Sequence, residues 1–167
     1  GSLFMWKDYF GEKATIIGID NNSNAKYWEK YGFQIFIGNQ SDEKFWNSFK
    51  SKVGKVDILL DDGGHIDYQQ AVTLFENIDN INDDGLIVIE DTHSSYMKEF
   101  GNPNKFSFTN LVSKLIDKIN YRSSHLNKNF DFLKLPICEI RIFESIYAFR
   151  INEKHSNISR EIVNKGK

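Results

Sequence analysis

Two acidic clusters, each directly after an apolar run, are the part of this sequence best suited to chemistry. The first reads Asp-Asp-Gly-Gly-His at 61–65, and the second reads Glu-Asp at 90–91. In an open α/β sheet, ligands bind beyond the carboxyl ends of the parallel strands, so both clusters are predicted to line one crevice. Crowded carboxylates repel one another, and a hard divalent cation with oxygen ligands offsets that charge. An imidazole at His65, beside such a cation, is placed to move a proton.

Each of these residues also has a plainer interpretation. Asp-Gly is ordinary turn chemistry, so Asp61 and Asp62 could serve only the turn, and Asp61 in particular is expected to cap or hydrogen-bond locally. His65 could be a satisfied loop histidine. His93, near the same rim, either touches a substrate or is structural. The second acidic pair at the neighbouring strand end favours metal ligation by Asp62.

The elements that would position these clusters alternate between strands and helices. Strands are predicted at 14–20, 33–37, 56–61 and 85–90, and helices at 2–10, 24–31, 41–53 and 67–80. This alternation is typical of an α/β fold with a mostly parallel sheet and right-handed crossovers. After it, the pattern predicts a helix over 108–119, a loop over 122–134 and an antiparallel hairpin of strands 137–143 and 146–151.

Composition narrows the class of protein. The chain has 167 residues, a formal net charge of -2 and 40% hydrophobic residues, which predicts a single domain over 1–167 with a polar tail at 153–167. The small net charge argues against nucleic acid as a partner, and no apolar run approaches the roughly 20 residues that cross a bilayer. The single cysteine, Cys138, fits a reducing compartment. We therefore expect a cytoplasmic protein with no membrane partner, and a homo-oligomer stays open.

Five segments of the chain carry a family resemblance: 1–10, 18–20, 38–42, 61–65 and 85–96, in that order. Together they resemble the class I S-adenosylmethionine-dependent methyltransferases. The most similar group is the metal-dependent sugar O-methyltransferases of macrolide and aminocoumarin biosynthesis (mycinamicin and macrocin type), with their cephalosporin-hydroxylase-like relatives. The resemblance covers residues 1–97 and implies a Rossmann-like methyltransferase fold.

The resemblance also implies an activity and its cofactors. These are S-adenosylmethionine and Mg²⁺, or another hard divalent cation. The reaction would transfer a methyl group to a hydroxyl of a sugar, or of another small-molecule or polysaccharide-precursor acceptor. Asp62, Glu90 and Asp91 would bind the metal ion, which would lower the pKa of the acceptor hydroxyl. His65 would be the general base that removes the proton.

A cofactor site on the first half of the chain follows from the same resemblance. Asp20 would hydrogen-bond the ribose hydroxyls, as an acid at that strand end does in dinucleotide folds, although it could instead only cap the next helix. The turn at 38–42 would lie against the adenine, and Asp61 would face the cofactor amine. The implied cofactor residues are Gly1, Ser2, Asp20, Asn39, Gln40, Ser41, Asp42 and Asp61.

One part of the family pattern has no counterpart in this sequence. The first strand and most of the glycine-rich cofactor loop would precede Gly1, so we expect a break in the sheet beside the strand that ends at Asp20. We also expect a fragment or truncated gene product that binds S-adenosylmethionine weakly. Two rivals stay open. One is a non-catalytic methyltransferase-like domain. The other, less favoured because no full G-x-G-x-x-G follows a strand, is a nucleotide-binding oxidoreductase.

Overall fold

Helices and strands alternate along the chain in the computed structural model, which describes residues 1–100, 105–122 and 135–156. The strands are β1 (Ile17–Asp20), β2 (Gln34–Ile37), β3 (Val56–Asp61), β4 (Ile81–Ile89), β5 (Ile137–Phe143) and β6 (Ile146–Ile151). The α-helices are α1 (Ser2–Phe10), α2 (Glu43–Val53), α3 (Asp67–Asn77), α4 (Phe108–Asn120) and α5 (Glu153–Ser156). Short 3₁₀ helices cover Ser23–Tyr31, Thr92–Tyr96 and Lys98–Phe100.

The strands form two sheets. β1 and β2 pair in parallel as a two-stranded sheet, and the other four are ordered β3-β4-β6-β5. β3 and β4 are parallel, whereas β6 is antiparallel to both β4 and β5. The predicted α/β class and the C-terminal hairpin are confirmed. The expected break is also present, because among the described strands β1 pairs only with β2 and β3 pairs only with β4.

The hydrophobic core lies where helices cover the four-stranded sheet. Ile87 and Ile89 of β4, Leu74 of α3 and Phe149 of β6 are fully buried in one cluster. Helix α4, which matches the helix predicted over 108–119, packs against them, with Phe108, Val112 and Leu115 buried. Among the described residues, no helix combines the length and the apolar character that crossing a membrane requires.

A bulge in β4 explains the largest difference from the predicted boundaries. Ile81 pairs with Val56, but the next pair joins Leu86 to Ile58, so residues 82–85 bulge out of the ladder. The predicted strand at 85–90 therefore begins earlier, at Ile81, and the predicted helix at 67–80 ends earlier, at Asn77. Gly85 is required in this bulge, because a Cβ there would lie 2.5 Å from the carbonyl oxygen of Asp57.

Three smaller differences concern element ends. The first strand begins at Ile17 rather than at 14, and the predicted helix at 24–31 is a 3₁₀ helix over Ser23–Tyr31. In the predicted polar tail, residues 153–156 form the short helix α5, and 157–167 lie outside the described residues. Most of the predicted loop at 122–134 also lies outside them.

Candidate metal and proton-transfer site

The parallel register of β3 and β4 brings the two acidic clusters together. Asp61 pairs with Ile89, and the Glu90 amide donates a hydrogen bond of 2.9 Å to the Asp61 carbonyl oxygen. Asp62 and Asp91 therefore leave their strands at the same edge of the sheet. This is the arrangement that the sequence predicts for neighbouring parallel strands.

Three side chains converge at this edge. One ligand atom each from Asp62, His65 and Asp91 lies within 4.8 Å of the other two. His65 Nε2 is 3.3 Å from Asp91 Oδ2. Phe100 packs edge-on against the imidazole, with ring centroids 6.3 Å apart at 79°. The His65 ring is thus held between an aromatic side chain and a carboxylate.

Glu90 lies outside that group of three, but the negative charges of Asp62 and Asp91 act on its carboxyl group. Partial burial raises the pKa of the Glu90 carboxyl, and the negative charges of Asp62 and Asp91 raise it further. The Glu90 carbonyl oxygen accepts a 3.1 Å hydrogen bond from Gln70 Nε2, and the Gln70 side chain is fully buried. The charges of three carboxylates thus act on one another at this edge of the sheet, and oxygen ligands of this kind fit a hard divalent cation.

Asp61 differs from Asp62 because its carboxylate is buried and hydrogen-bonded. It is 8% exposed and accepts bonds from Gln40 Nε2 (3.2 and 3.1 Å) and from the Gly63 amide (3.1 Å). Burial raises the pKa of Asp61, while hydrogen bonds from Thr73, Gly63 and Gln40 oppose that rise. The Asp61 carboxylate therefore organises the turn from inside, and its role toward the cofactor amine stays a prediction.

Gln40 connects this turn to the first half of the chain. Besides donating to Asp61, its Oε1 accepts a 2.6 Å hydrogen bond from the Gly64 amide. Its carbonyl oxygen accepts a 2.8 Å bond from the indole nitrogen of Trp46. The Gln40 side chain is thus fixed between Asp61 and Gly64 and is not free to contact a cofactor. If this turn lies against a cofactor, the contact would come from the main chain of residues 39–42.

The other predicted cofactor residues form local turns. Asp20 Oδ1 accepts from the Asn22 amide at 2.8 Å, and Asn39 Oδ1 accepts from the Ser41 amide at 2.9 Å. Asp42 caps α2 by accepting from the Lys44 amide at 2.9 Å. The Gly38 amide bonds to the Asp20 carbonyl oxygen at 2.9 Å, so the turn at 38–42 lies beside Asp20.

Gly1 and Ser2 are the remaining predicted cofactor residues. Both are exposed, at the N-terminus of α1.

Sequence reasoning missed a buried polar hub beneath the site. Asp67, at the start of α3, is 9% exposed, and its Oδ1 accepts from Ser95 Oγ at 2.9 Å and from the Phe108 amide at 2.7 Å. This carboxylate ties the segment after β4 to the N-terminus of α4. An aspartate at the start of a helix is ordinary in a sequence, and no local signal distinguishes one that caps a second helix.

Comparison with known proteins places this chain among O-methyltransferases. No family model matches the chain. Demethylmacrocin O-methyltransferase of Streptomyces fradiae is 30% identical over 127 residues, which is 73% of this chain and 32% of that protein. Mycinamicin VI 2''-O-methyltransferase of Micromonospora griseorubida is 28% identical over 153 residues, covering 87% and 38% respectively. The chain thus spans about a third of the length of these relatives.

Solved structures give the same fold. The MycE methyltransferase from the mycinamycin biosynthetic pathway, in complex with Mg and SAH, superposes with a TM-score of 0.82 at 23% identity. The match covers 90% of this chain and 40% of that one. The predicted methyltransferase resemblance is confirmed by the sequence relatives, and the predicted fold by this structural match.

Proposed function

We propose that this chain, a member of the class I S-adenosylmethionine-dependent methyltransferases by its relatives and its fold, acts in methyl transfer to a hydroxyl oxygen. The acceptor is a sugar or another small molecule bearing a hydroxyl, by analogy with the relatives. The observation that carries the proposal is the convergence of Asp62, His65 and Asp91 within 4.8 Å at the ends of two adjacent parallel strands. The relatives are methyltransferases, which disfavours the oxidoreductase alternative.

Asp62, Glu90 and Asp91 are the residues that would hold a divalent cation. Their fit is an electrostatic one, because the Glu90 pKa is raised in part by the charges of the other two carboxylates. A positive ion among them would remove that repulsion. When bound, a cation such as Mg²⁺ supplies charge that makes a nearby hydroxyl a stronger acid. S-adenosylmethionine, when bound, supplies the activated methyl carbon.

His65 is the residue proposed to take the proton from the acceptor hydroxyl. Its Nε2 is the ring nitrogen directed at the acidic site, 3.3 Å from Asp91 Oδ2. Protonation there creates an imidazolium, and the Asp91 carboxylate stabilises that positive charge. Phe100 packs edge-on against the other side of this ring environment, with ring centroids 6.3 Å apart.

The convergence of three ligand atoms also allows His65 to be a metal ligand, and one experiment separates the two roles. We expect His65→Ala to lower turnover by roughly a hundredfold, the usual cost of losing a general base, while the Kd for Mn²⁺ changes less than about twofold. A ligand role predicts instead a Kd that rises at least about tenfold. Calorimetry with Mn²⁺ and a methyl-transfer assay measure both quantities.

The matched control for this experiment is His155→Ala. His155 is exposed on α5 and lies outside the group of three convergent ligand atoms. Both quantities should be unchanged in this variant. Normal turnover in His65→Ala would show that the histidine is only a loop residue and would remove it from the mechanism.

Several broader assignments belong to the same proposal. They are a single domain, a cytoplasmic location and an open possibility of a homo-oligomer. The one partly buried cysteine, Cys138, fits the reducing compartment that the cytoplasmic assignment needs. A non-catalytic methyltransferase-like domain is the rival. Titration with S-adenosylhomocysteine, with and without Mg²⁺, tests it, because a catalytic domain should bind the two ligands with mutual dependence.

A further inference from the structure

The backbone of Asp91 is in a conformation that few residues with a side chain adopt. Its φ is 52° and its ψ is 33°, the left-handed helical region. Steric contact of Cβ with the carbonyl group disfavours this region for residues other than glycine, although Asp and Asn tolerate it better than most. Such a conformation persists at a site only when surrounding contacts hold it.

The turn between β5 and β6 supplies such contacts. The carbonyl oxygen of Ser145 accepts a 3.0 Å hydrogen bond from the Thr92 amide, directly after Asp91. The Ser145 hydroxyl lies 2.8 Å from His93 Nδ1. Ser145 itself has a φ of 60°. Ser145 therefore holds the two residues that directly follow Asp91, Thr92 through its carbonyl oxygen and His93 through its hydroxyl.

These bonds also fix the surroundings of the Asp91 carboxylate. His93 Nδ1 is 3.9 Å from Asp91 Oδ1, and His65 Nε2 is 3.3 Å from Asp91 Oδ2. The carboxylate thus lies between two imidazoles, one on each oxygen. Because Ser145 holds the His93 ring, it fixes one side of the Asp91 carboxylate as well as the main chain behind it.

We propose that Ser145 is a positioning residue for the cation site. It holds residues 92–93, which keeps Asp91 left-handed with its carboxylate directed at Asp62 and His65. Cation affinity then depends on the β5–β6 turn, although that turn donates no ligand of its own. This inference rests on the proposed function, in which Asp91 binds the cation.

Two substitutions test the proposal without relying on activity. Ser145→Gly removes the hydroxyl and relaxes the backbone, since glycine accepts a positive φ, whereas Ser145→Ala removes the hydroxyl and keeps the strain. We expect the Kd for Mn²⁺ to rise about tenfold in both, the usual cost of losing an outer partner of a metal ligand. The melting temperature of Ser145→Gly should stay equal or rise, so a loss of affinity cannot be attributed to unfolding.

A spectroscopic measurement on the metal-free chain tests the positioning itself. In both variants, the ¹⁵N shift of His93 Nδ1 should change, because the ring loses its hydroxyl partner. In Ser145→Gly, the amide-to-Hα coupling of Asp91 should change as well, because the relaxed turn holds the carbonyl oxygen that accepts from the Thr92 amide less firmly. Ser51→Ala is the matched control. Among the described residues, its hydroxyl bonds only the Ser48 carbonyl oxygen of its own helix, at 2.8 Å, so neither the NMR signals nor the Mn²⁺ affinity should change.

The two proposals fail in different ways. An unchanged Mn²⁺ Kd in both Ser145 variants, or unchanged Asp91 and His93 signals, would overturn the positioning role. Absence of Mn²⁺ binding by the unaltered chain would overturn the cation site, and with it the claim that Ser145 controls affinity. A changed Kd together with changed signals, at equal thermal stability, supports the inference.

Discussion

The acidic residues at the two halves of the molecule are in opposite electrostatic situations. In the half built on β1 and β2, each short polar side chain accepts a bond from a main-chain amide two residues on: Asp20 from Asn22, Asn39 from Ser41 and Asp42 from Lys44. In the half built on β3 and β4, the carboxylates of Asp62 and Asp91 converge instead, and their negative charges help to raise the pKa of Glu90.

This difference shows that an aspartate after a strand can have two physical roles. A carboxylate that already accepts a main-chain amide is stable without a ligand, so a ligand must share or displace that bond. A carboxylate surrounded by others is destabilised until a cation arrives. The β3–β4 half is therefore expected to respond to metal and pH, and the β1–β2 half to respond weakly to either.

The largest expected effect is on cation affinity in the β3–β4 half. Asp62→Asn removes one negative ligand, and we expect the Kd for Mn²⁺ to rise roughly a hundredfold or more, since affinity at such sites follows ligand charge. The metal-free variant should be as stable as the unaltered chain or more stable, because repulsion is relieved. Asp57→Asn, at the other end of β3, is the control. Unchanged Mn²⁺ affinity in Asp62→Asn would show that the acidic residues of the β3–β4 half do not form a cation site.

The second effect concerns the residue that joins the halves. Gln40→Ala leaves the buried Asp61 carboxylate without two of its hydrogen bonds and the Gly64 amide without its acceptor. We expect the free energy of unfolding to fall by about 1–3 kcal/mol, the usual penalty for buried groups left unpaired. Urea denaturation measures it. Asn39→Ala, one residue away and exposed, should change it by about 0.5 kcal/mol. Equal losses would mean that Gln40 is only another turn residue.

The third effect is the pH dependence of the metal-free chain. The Glu90 pKa is raised by burial and by Asp62 and Asp91. Between the ordinary glutamate pKa and this raised value, the folded chain binds more protons than the unfolded chain, so its stability falls as pH rises. In Glu90→Gln, the urea denaturation midpoint should depend less on pH across that window. Both proteins are measured in the presence of a chelator. If the urea midpoints of the two proteins change equally with pH, the charges of Asp62 and Asp91 do not act on Glu90.

The smallest effect is expected in the β1–β2 half. Asp20→Asn should change the free energy of unfolding by no more than about 0.5 kcal/mol, because asparagine accepts the same main-chain bond. Affinity for S-adenosylhomocysteine should fall about tenfold if Asp20 meets the ribose, since a charged acceptor bonds a hydroxyl more strongly. Calorimetry decides this, and unchanged affinity would leave Asp20 with its turn role alone.

The fold and the convergence of the two clusters could be predicted because both follow from local patterns. Alternating apolar strands and helices define the parallel units, and the ends of adjacent parallel strands lie at one edge of the sheet. Asp62 and Asp91 are brought together for that reason. The helical spacing of Phe108, Val112 and Leu115 likewise predicts a buried helix face, and all three are buried.

The contacts that refine the site could not be predicted, because each depends on a pairing between distant segments. Ser145 reaches residues 92–93 only because β6 pairs antiparallel with β4 in a register that places Tyr147 opposite Ile89. Gln40 reaches Asp61 across two separate sheets. The predicted start of β4 at 85 is too late because residues 82–85 bulge out of the ladder with β3, and Ile81 joins the strand only through its pairing with Val56.

Amide hydrogens in the two sheets should exchange with solvent at different rates. Among the described strands, no backbone ladder joins β1 or β2 to the four-stranded sheet. Cohesion between the halves rests on Gln40 and on side chains of Ile17, Ile19 and Phe36 packed against the main core. We therefore expect the two-stranded sheet to behave as a separate foldon that opens while the four-stranded sheet stays closed. The proposed cation residues would then lie on the unit that opens last.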